Sequence, residues 1–468
     1  MGVAVLLAAS ALYCWIADPG ALPVLVMSIV GNFSFMLLLR SVRNPAARRG
    51  LTGVGIGLNV AVLAAFKWLQ ANAAPEVAVA ALGGRGGVIP LGLTFYTLQQ
   101  ISYLVDAQKQ GATRLSLPRY AAWMGSFAQL PAGPIATYRM MADQYAVLGR
   151  KSPSAATLAR GATLFFAGVV KKTWLADPLG QRVDRIWDLI QSAAMTPWRA
   201  WTAAWGYFLQ LYFDFSAYSD MAIGLALCVG IALPMNFNSP LKATSPGEYV
   251  MRWHVSLMMF VRSYVFEPMF QAARRLPIRP TPRRYLVAWS LATIAAFVTV
   301  GLWHTLSLST LGVALAVGLL MVVLQNARLR WRSTPRSRGA LWRWTSMTVS
   351  RLMLLAAAAI CALFLRAETP AEAMKLLAVM LPLGNTSEAS RAVTPFPIPF
   401  FIIGASIVAL VAPNTMQIFG IGGATPAPAW LRWRSSARWG FAAGGLFILA
   451  LIGIANLQSP RSFIYARF

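Results

Sequence analysis

The apolar residues of this chain come in long runs, and that constrains its fold more than any other sequence feature. Hydrophobic residues fill 57% of 468 positions and charged residues only 12%. Mean hydropathy is +0.58. A membrane span needs about 20 mostly apolar residues. Candidate spans lie near 2–17, 21–39, 51–70, 88–105, 120–137, 161–176, 201–233 (one or two spans), 249–270, 285–302, 306–325, 346–366, 397–416 and 439–457. Several are too short to cross upright and read as re-entrant or interfacial. Backbone N–H and C=O groups in hydrocarbon must be paired inside the protein, so the expected class is an all-α polytopic membrane protein. No soluble domain or sequence repeat interrupts the pattern. Residues 1–468 read as one membrane domain.

Charge supports the same reading. The chain has 41 Lys+Arg against 14 Asp+Glu, a formal charge of +27. On a soluble protein this would point to nucleic acid. Here the basic residues cluster in short loops between apolar runs, which is the positive-inside pattern, and no nucleic-acid partner is expected. One cluster is Arg40, Arg43, Arg48 and Arg49. A second is Arg274, Arg275, Arg279, Arg283 and Arg284. The largest is Arg328, Arg330, Arg332, Arg336, Arg338 and Arg343. All three are expected on the cytoplasmic side, where such clusters also attract anionic lipid head groups. The first basic residue is Arg40, so the N-terminus lacks the charged region of a signal peptide. Met1–Ile16 reads as a retained membrane helix. Cys14, Cys228 and Cys361 are isolated and suggest neither a disulfide framework nor a metal site.

Against this background the two histidines stand out, each directly preceded by tryptophan: Trp253-His254 and Trp303-His304. Ionisable groups at bilayer depth are costly and by default functional. Imidazole also exchanges a proton near neutral pH. His304 lies between the basic residues Arg284 and Arg328, which allows an out-and-back hairpin with His304 near its turn. Straight helices rising about 1.5 Å per residue would carry it roughly 30 Å from the basic end. At such depth a cavity must solvate it. His254 is placed differently. Ser245-Pro246-Gly247-Glu248 has the pattern of a helix start. The run Tyr249–Phe266 then reads as a helix at the cytoplasmic interface, with His254 on that side of the cavity.

Other polar positions leave two readings open. In Tyr212–Asp220, the pairs Asp214/Tyr218 and Ser216/Asp220 each share a helix face. They either line a polar cavity or fix helix packing. Asp106 and Asp177 close apolar runs and are expected at interfaces, with Lys171-Lys172 as an interface anchor. Gly53–Gly57 contains GxxxG spacing suited to close helix approach. Leu82–Gly87 reads as a flexible connection. The tryptophans otherwise read as interfacial belts. No zinc-ligand spacing, nucleophile elbow or P-loop is present. Neither histidine has an acidic residue five positions on, which sets aside the H-x4-D type of acyltransferase.

Taken together, the motifs resemble the membrane-bound O-acyltransferases, in particular the bacterial branch typified by alginate O-acetyltransferase. The matching pieces are Pro90–Tyr96 continuing to Ile101–Asp106, Phe127–Ile135, and Lys171-Lys172 with Ala176-Asp177. They continue with Phe213–Ala222, Asn236–Pro240, Arg252–Leu257, Gly301–His304, Pro413–Thr415 and Phe463–Phe468. The resemblance implies a ring of tilted helices around a central tunnel. It also implies acyl transfer from a cytoplasmic thioester to a hydroxyl on the other side. His304 matches the catalytic histidine and His254 the second functional one. Trp303, Trp253, Asp214, Ser216, Tyr218, Asp220, Asn236 and Asn238 become candidates for lining the tunnel. Arg252 and Arg262 become candidates for contacting donor phosphates. No tightly bound cofactor and no metal are expected; acetyl-coenzyme A or an acyl-carrier thioester would be the donor substrate. Expected partners are membrane lipids, a periplasmic or membrane-anchored acetyl-transfer protein and an acyl-carrier protein. The expected location is the bacterial inner (cytoplasmic) membrane, crossed several times.

The chain departs from that pattern at Thr305-Leu306-Ser307-Leu308, where the family has Gly and then aromatics, at Val317-Gly318, where it has a further histidine, and at Tyr249-Val250-Met251. The function expected is O-acetylation of an exported polysaccharide or cell-envelope glycan, with His304 as general base. The alternatives are D-alanyl transfer from a carrier protein, and a transporter or flippase using the intramembrane Asp and His residues as a relay.

Overall fold

The computed structural model describes residues 2–72, 89–109, 112–150, 152–189, 195–275, 282–331, 339–367, 369–381, 399–457 and 463–464. Leu82–Gly87, Arg279, Arg332, Arg336, Arg338 and Tyr465–Phe468 lie outside the described residues, as do the side chains of Arg283, Arg328, Arg330 and Arg343. The described elements are helices, and an isolated Phe237–Trp253 bridge is the strand-like pairing among them. Among the described residues, six helices are long and apolar enough to cross a bilayer: Ala21–Ser41, Pro45–Asn72, Arg284–His304, Leu308–Ala327, Trp344–Arg366 and Ala437–Ala455. The all-α polytopic class read from the apolar runs is the class observed.

The molecule is built around the helix Pro197–Cys228. Of residues 201–233, expected as one or two spans, 201–228 form part of this single 32-residue helix. The Thr196 hydroxyl caps its start by accepting from Arg199 N, and Pro197 occupies the first turn, where no amide donor is needed. Most of its aromatic residues are buried. Helix Ala155–Lys171 lies directly against it, and glycines set the separation. A Cβ at Gly161 would sit 2.6 Å from Gly224 O, and one at Gly224 would sit 2.6 Å from Gly161 O. The expected glycine contact at Gly53–Gly57 is narrower than its spacing suggests. Gly53 and Gly57 face open space, and only Gly55 is tight, against the Phe35 ring.

Two helices contain single π turns, Lys172–Ala176 and Arg262–Phe266. Each is followed by an acidic residue and a proline, Asp177-Pro178 and Glu267-Pro268. Proline lacks the amide donor and crowds the carbonyl four residues back, and a wider turn relieves both problems. At the first π turn Lys172 is buried and Lys171 half-buried, and both are ion-paired. Lys171 Nζ lies 2.5 Å from Asp220, while Lys172 Nζ lies 2.6 Å from Asp214 and 2.8 Å from Asp177. Asp177 and Asp106 are also buried, 3% and 5% exposed. Asp106 pairs with Lys109 and accepts from the Tyr264 hydroxyl. Carboxylates and ammoniums at bilayer depth pair with one another because neither can keep its water.

Other expected spans are broken where the backbone finds side-chain partners. The 120–137 segment is helical only over Leu117–Met124. Pro131, Gly133 and Pro134 end regular structure beyond it, yet the segment stays buried. Its amides are taken up by hydroxyls: Phe127 N donates to Ser10 Oγ, Ile135 N to Ser256 Oγ and Tyr138 N to Ser102 Oγ, at 3.1, 2.8 and 2.9 Å. Irregular backbone survives at depth only when so paired. The 397–416 segment likewise stops at Val411, and Asn414 then opens Thr415–Phe419 through a capping box with Gln417.

The buried ion pairs give a test. Asp220→Ala should lower stability by on the order of 3 kcal/mol, because Lys171 loses its anion. Adding Lys171→Met should recover a large part of that loss. Thermal unfolding of the detergent-solubilised chain reads both.

Candidate active site

His304 is the last residue of helix Pro282–His304, and Leu308 begins the returning helix Leu308–Trp331. The hairpin expected from the flanking basic clusters is therefore present, with His304 at its turn. The turn is stitched by hydroxyls: Thr305, Ser307 and Thr310 oxygens lie 3.0 Å from one another. Ser307 also accepts from Thr310 N at 3.2 Å and so caps the second helix. Residues at 305–308, where the chain departs from the family pattern, thus close the turn together with Thr310. One helical turn before His304, a Cβ at Gly301 would lie 2.7 Å from Ala314 Cβ, so the hairpin legs touch there.

Trp303 fixes the hairpin to the rest of the protein. Its indole Nε1 donates to Thr94 O at 3.0 Å, and its ring meets Phe95 edge-on at 5.4 Å. Lys67, 5% exposed on helix Pro45–Asn72, donates from Nζ to His304 O at 2.7 Å. This contact supports the depth estimate. On that helix Lys67 lies roughly 28 Å from Arg48 at about 1.5 Å per residue. On its own helix His304 lies roughly 30 Å from Arg284. Both rulers put His304 close to one bilayer thickness, about 30 Å, from the basic ends.

His254 does not sit within a continuous helix, which corrects the reading of Tyr249–Phe266. The Ser245 hydroxyl caps Glu248 N at 3.3 Å as the sequence suggests, but helix Pro246–Val250 ends after five residues. His254 then adopts left-handed backbone, φ 44 and ψ 53, before helix Val255–Val261. A non-glycine residue in that region costs roughly 1–2 kcal/mol. Pairing on both sides holds it: Asn238 N donates to Arg252 O at 3.0 Å and Val255 N to Asn236 O at 2.8 Å. The Asn236 side chain is fixed in turn, donating to Ser219 Oγ at 2.9 Å and accepting from Ser256 Oγ at 2.6 Å. The imidazole is 1% exposed, edge-on to Phe215 at 4.7 Å and 6.0 Å from the Trp303 ring. His304 lies 4.7 Å from the same indole. The two imidazoles therefore flank one tryptophan.

Both histidines border a cavity of about 860 Å³. His254, His304, Thr310 and Trp253 line it, with Phe208 and Leu257 beside them. Its remaining walls are almost wholly apolar and follow the hairpin leg from Thr310 to Leu324 and helix Ala340–Arg366 from Leu365 to Trp342. Those stretches correspond to roughly 20 and 35 Å of helix, so the cavity extends from the histidines towards the basic end.

The expected site residues divide accordingly. His254, His304 and Trp253 border the cavity, and Trp303 joins the two imidazoles from behind. Asp214, Ser216, Tyr218, Asp220, Asn236 and Asn238 do not line it. Asp214 is held by Lys172 and accepts from Ile464 N at 2.8 Å. Asp220 is held by Lys171 and by the Thr415 hydroxyl at 2.8 Å. Ser216 donates to Phe213 O at 3.3 Å, and the Tyr218 hydroxyl accepts from Ala132 N at 3.3 Å. Asn236 shapes the His254 turn, and Asn238 O accepts from Arg252 at 3.3 Å. Of the expected phosphate contacts, Arg252 is paired with Glu248 at 2.6 Å, and Arg262 is exposed at the start of the second π turn. Neither borders the cavity. Burial alone would raise the Glu248 carboxyl, but bonds from Thr244 N and Oγ1 and the Arg252 pair hold it below the usual range. This depressed group contributes stability above its unfolded pKa and loses it as pH falls through the folded value. Sequence reading overlooked Lys67 and Thr310, and gave Gly301 only as part of a motif. A lone lysine inside an apolar run was the available signal for the first.

Fold and site thus define a polytopic helical membrane protein with paired imidazoles at one end of a long apolar cavity. The profile of the membrane-bound O-acyltransferase family matches residues 93–365, a segment holding both histidines, and the chain belongs to that family. It is 34% identical over 253 residues to the probable alginate O-acetylase AlgI of Azotobacter vinelandii, covering 52% of this chain and 49% of that one. It is 31% identical over 275 residues to the peptidoglycan O-acetyltransferase of Helicobacter pylori, covering 53% and 52%. The teichoic acid D-alanyltransferase of Bacillus subtilis is 25% identical over 223 residues, covering 46% and 54%. The chain thus spans about half the length of the curated relatives it matches.

The hairpin contact gives a second test. Gly301→Ala should cost about 1–3 kcal/mol by overpacking against Ala314. Ala314→Gly in the same chain should restore most of it. A double-mutant cycle of melting temperatures checks the coupling.

Proposed function

We propose that this chain is an O-acyltransferase that moves an acetyl group from a cytoplasmic thioester towards an exported polysaccharide or cell-envelope glycan. The observation that carries the proposal is His304 at the inner end of a cavity of about 860 Å³. That volume suits a drug-sized ligand, for which pockets of roughly 300–1,000 Å³ are usual. In this reading the donor thioester enters from the basic, cytoplasmic end and the acceptor hydroxyl from the other. The hydroxyl oxygen attacks the thioester carbonyl while neutral His304 takes its proton. The C–O bond forms, the C–S bond breaks, and the thiolate leaves to be protonated. Positioned general-base help of this kind is typically worth 10²–10⁴-fold. Apolar walls suit the step because they keep water from a thioester it would hydrolyse. His254, across Trp303, orients the acyl group or the acceptor.

The donor is acetyl-coenzyme A or an acyl-carrier thioester. The immediate acceptor is the glycan or a periplasmic or membrane-anchored protein that completes the transfer. The membrane is the bacterial inner membrane, with the arginine clusters inside. Acetyl is favoured over D-alanyl because identity to the relatives named for O-acetylation is higher, 34% and 31% against 25%. A transporter relay through Asp214 and Asp220 fits poorly, since Lys172 and Lys171 already neutralise them.

His304→Ala should insert and melt like the wild type yet lose at least about 100-fold in acetyl transfer from acetyl-coenzyme A or an acetylated carrier protein. Full transfer by a folded His304→Ala protein would refute the assignment. His254→Gly separates ring from backbone. It should be at least as stable as wild type, because glycine accepts φ 44 without strain, and should still lose activity.

A further inference from the structure

We propose that Lys67 is a positioning residue, holding the His304 imidazole at its working place by clamping the end of the helix that carries it. The argument starts from an unmet need. The last four carbonyls of an α-helix have no partner within it. Helix Pro282–His304 ends against Lys67, with Lys67 and Trp303 5% and 6% exposed, so its last carbonyl is met from within the protein. Gly301 O is met by Thr305 N at 3.1 Å, within the hairpin turn. His304 O is met by the Lys67 ammonium at 2.7 Å, across 237 positions of sequence. The contact lies on the backbone of the histidine itself.

The donor is an unusual one. Lys67 sits in an otherwise apolar span, 5% exposed, and does not line the cavity. Unlike Lys171 and Lys172, it has no carboxylate among its described partners. A buried lysine spent on one carbonyl is a costly way to finish a helix, where a hydroxyl or glycine turn would serve. It does two things these would not. It places positive charge at the negative end of a helix dipole. It also ties the hairpin to helix Pro45–Asn72, outside the segment matched by the family profile, residues 93–365. The Trp303 indole, bonded to Thr94 O, supplies the other fixed point. With residues 303 and 304 each tied to a different helix, the imidazole's base cannot rotate or slide. Displacing a catalytic group by 1 Å can cost roughly 100-fold in rate.

The inference rests on His304 acting as the base, so its test needs one readout that does not depend on turnover. The full chain in proteoliposomes is compared as wild type, Lys67→Met and Lys67→Arg. The first readout is acetyl-coenzyme A consumption. Lys67→Met should lower kcat by roughly 100-fold with KM near wild type, and Lys67→Arg, which still reaches the carbonyl, should recover most of it. The second is the rate at which diethyl pyrocarbonate modifies His304, followed by mass spectrometry with His254 as internal reference. That rate should rise several-fold in Lys67→Met, stay near wild type in Lys67→Arg, and leave His254 unchanged. Should Lys67→Met fail to accumulate, Lys67→Gln, too short to reach, takes its place with the same expectations. Unchanged His304 labelling in the Met or Gln variant overturns the proposal. So does equal impairment of the Arg variant. Absent turnover by the wild type overturns only the acyl-transfer reading, and labelling still decides the role of Lys67.

Discussion

A helix that ends in the middle of a hydrophobic protein exposes carbonyls that nothing nearby is obliged to satisfy, and the site grows out of that constraint. The helix carrying His304 stops roughly 30 Å from its basic end. Two of its final carbonyls are met by the amide of Thr305 and the ammonium of Lys67, and the hydroxyls of Thr305, Ser307 and Thr310 close the turn that follows. Because those partners belong to the turn and to a distant helix, satisfying the backbone also fixes the position of the imidazole. The Trp303–Thr94 bond completes the arrangement. Elsewhere irregular backbone follows the same rule, with hydroxyls of Ser10, Ser102, Tyr218 and Ser256 serving the 127–138 segment.

Polar side chains buried in the molecule fall into two sets with different fates. Asp214, Asp220, Asp177, Lys171 and Lys172 consume one another and hold the π turn against the central helix. They act on packing, three carboxylates sharing two ammoniums, with Lys172 between Asp177 and Asp214. The two imidazoles instead flank one indole and border the cavity, where no carboxylate lines the wall among the described residues. This separation gives the site its chemical character: a proton-exchanging group at the edge of an apolar space, with the charged pairs kept in a different layer.

Much of this was legible in the sequence. Apolar run length gave the helical membrane class. The spacing of arginines around His304 gave the hairpin and the length of its first leg, since helical rise is a fixed ruler. Ser245-Pro246-Gly247-Glu248 gave the helix start, although Glu248 reaches Thr244 N rather than Ser245 N. What failed was non-local. Local periodicity could not show that His254 breaks its helix, because the left-handed turn is held by Asn236 and Asn238 from another segment. It could not pair Lys171 with Asp220 or Lys172 with Asp214, more than 40 positions away, nor Lys67 with His304. The glycines at 161 and 224 are close only because two distant helices touch.

The central claim is that His304 faces the reacting carbon of a thioester within this cavity. A structure of the full chain in nanodiscs with a thioether analogue of acetyl-coenzyme A tests it most directly. The account predicts the acetyl-bearing end inside the cavity, with a His304 ring nitrogen about 3 Å from the site of the attacking oxygen. An analogue bound elsewhere, with the cavity filled by lipid or closed over both imidazoles, would contradict it.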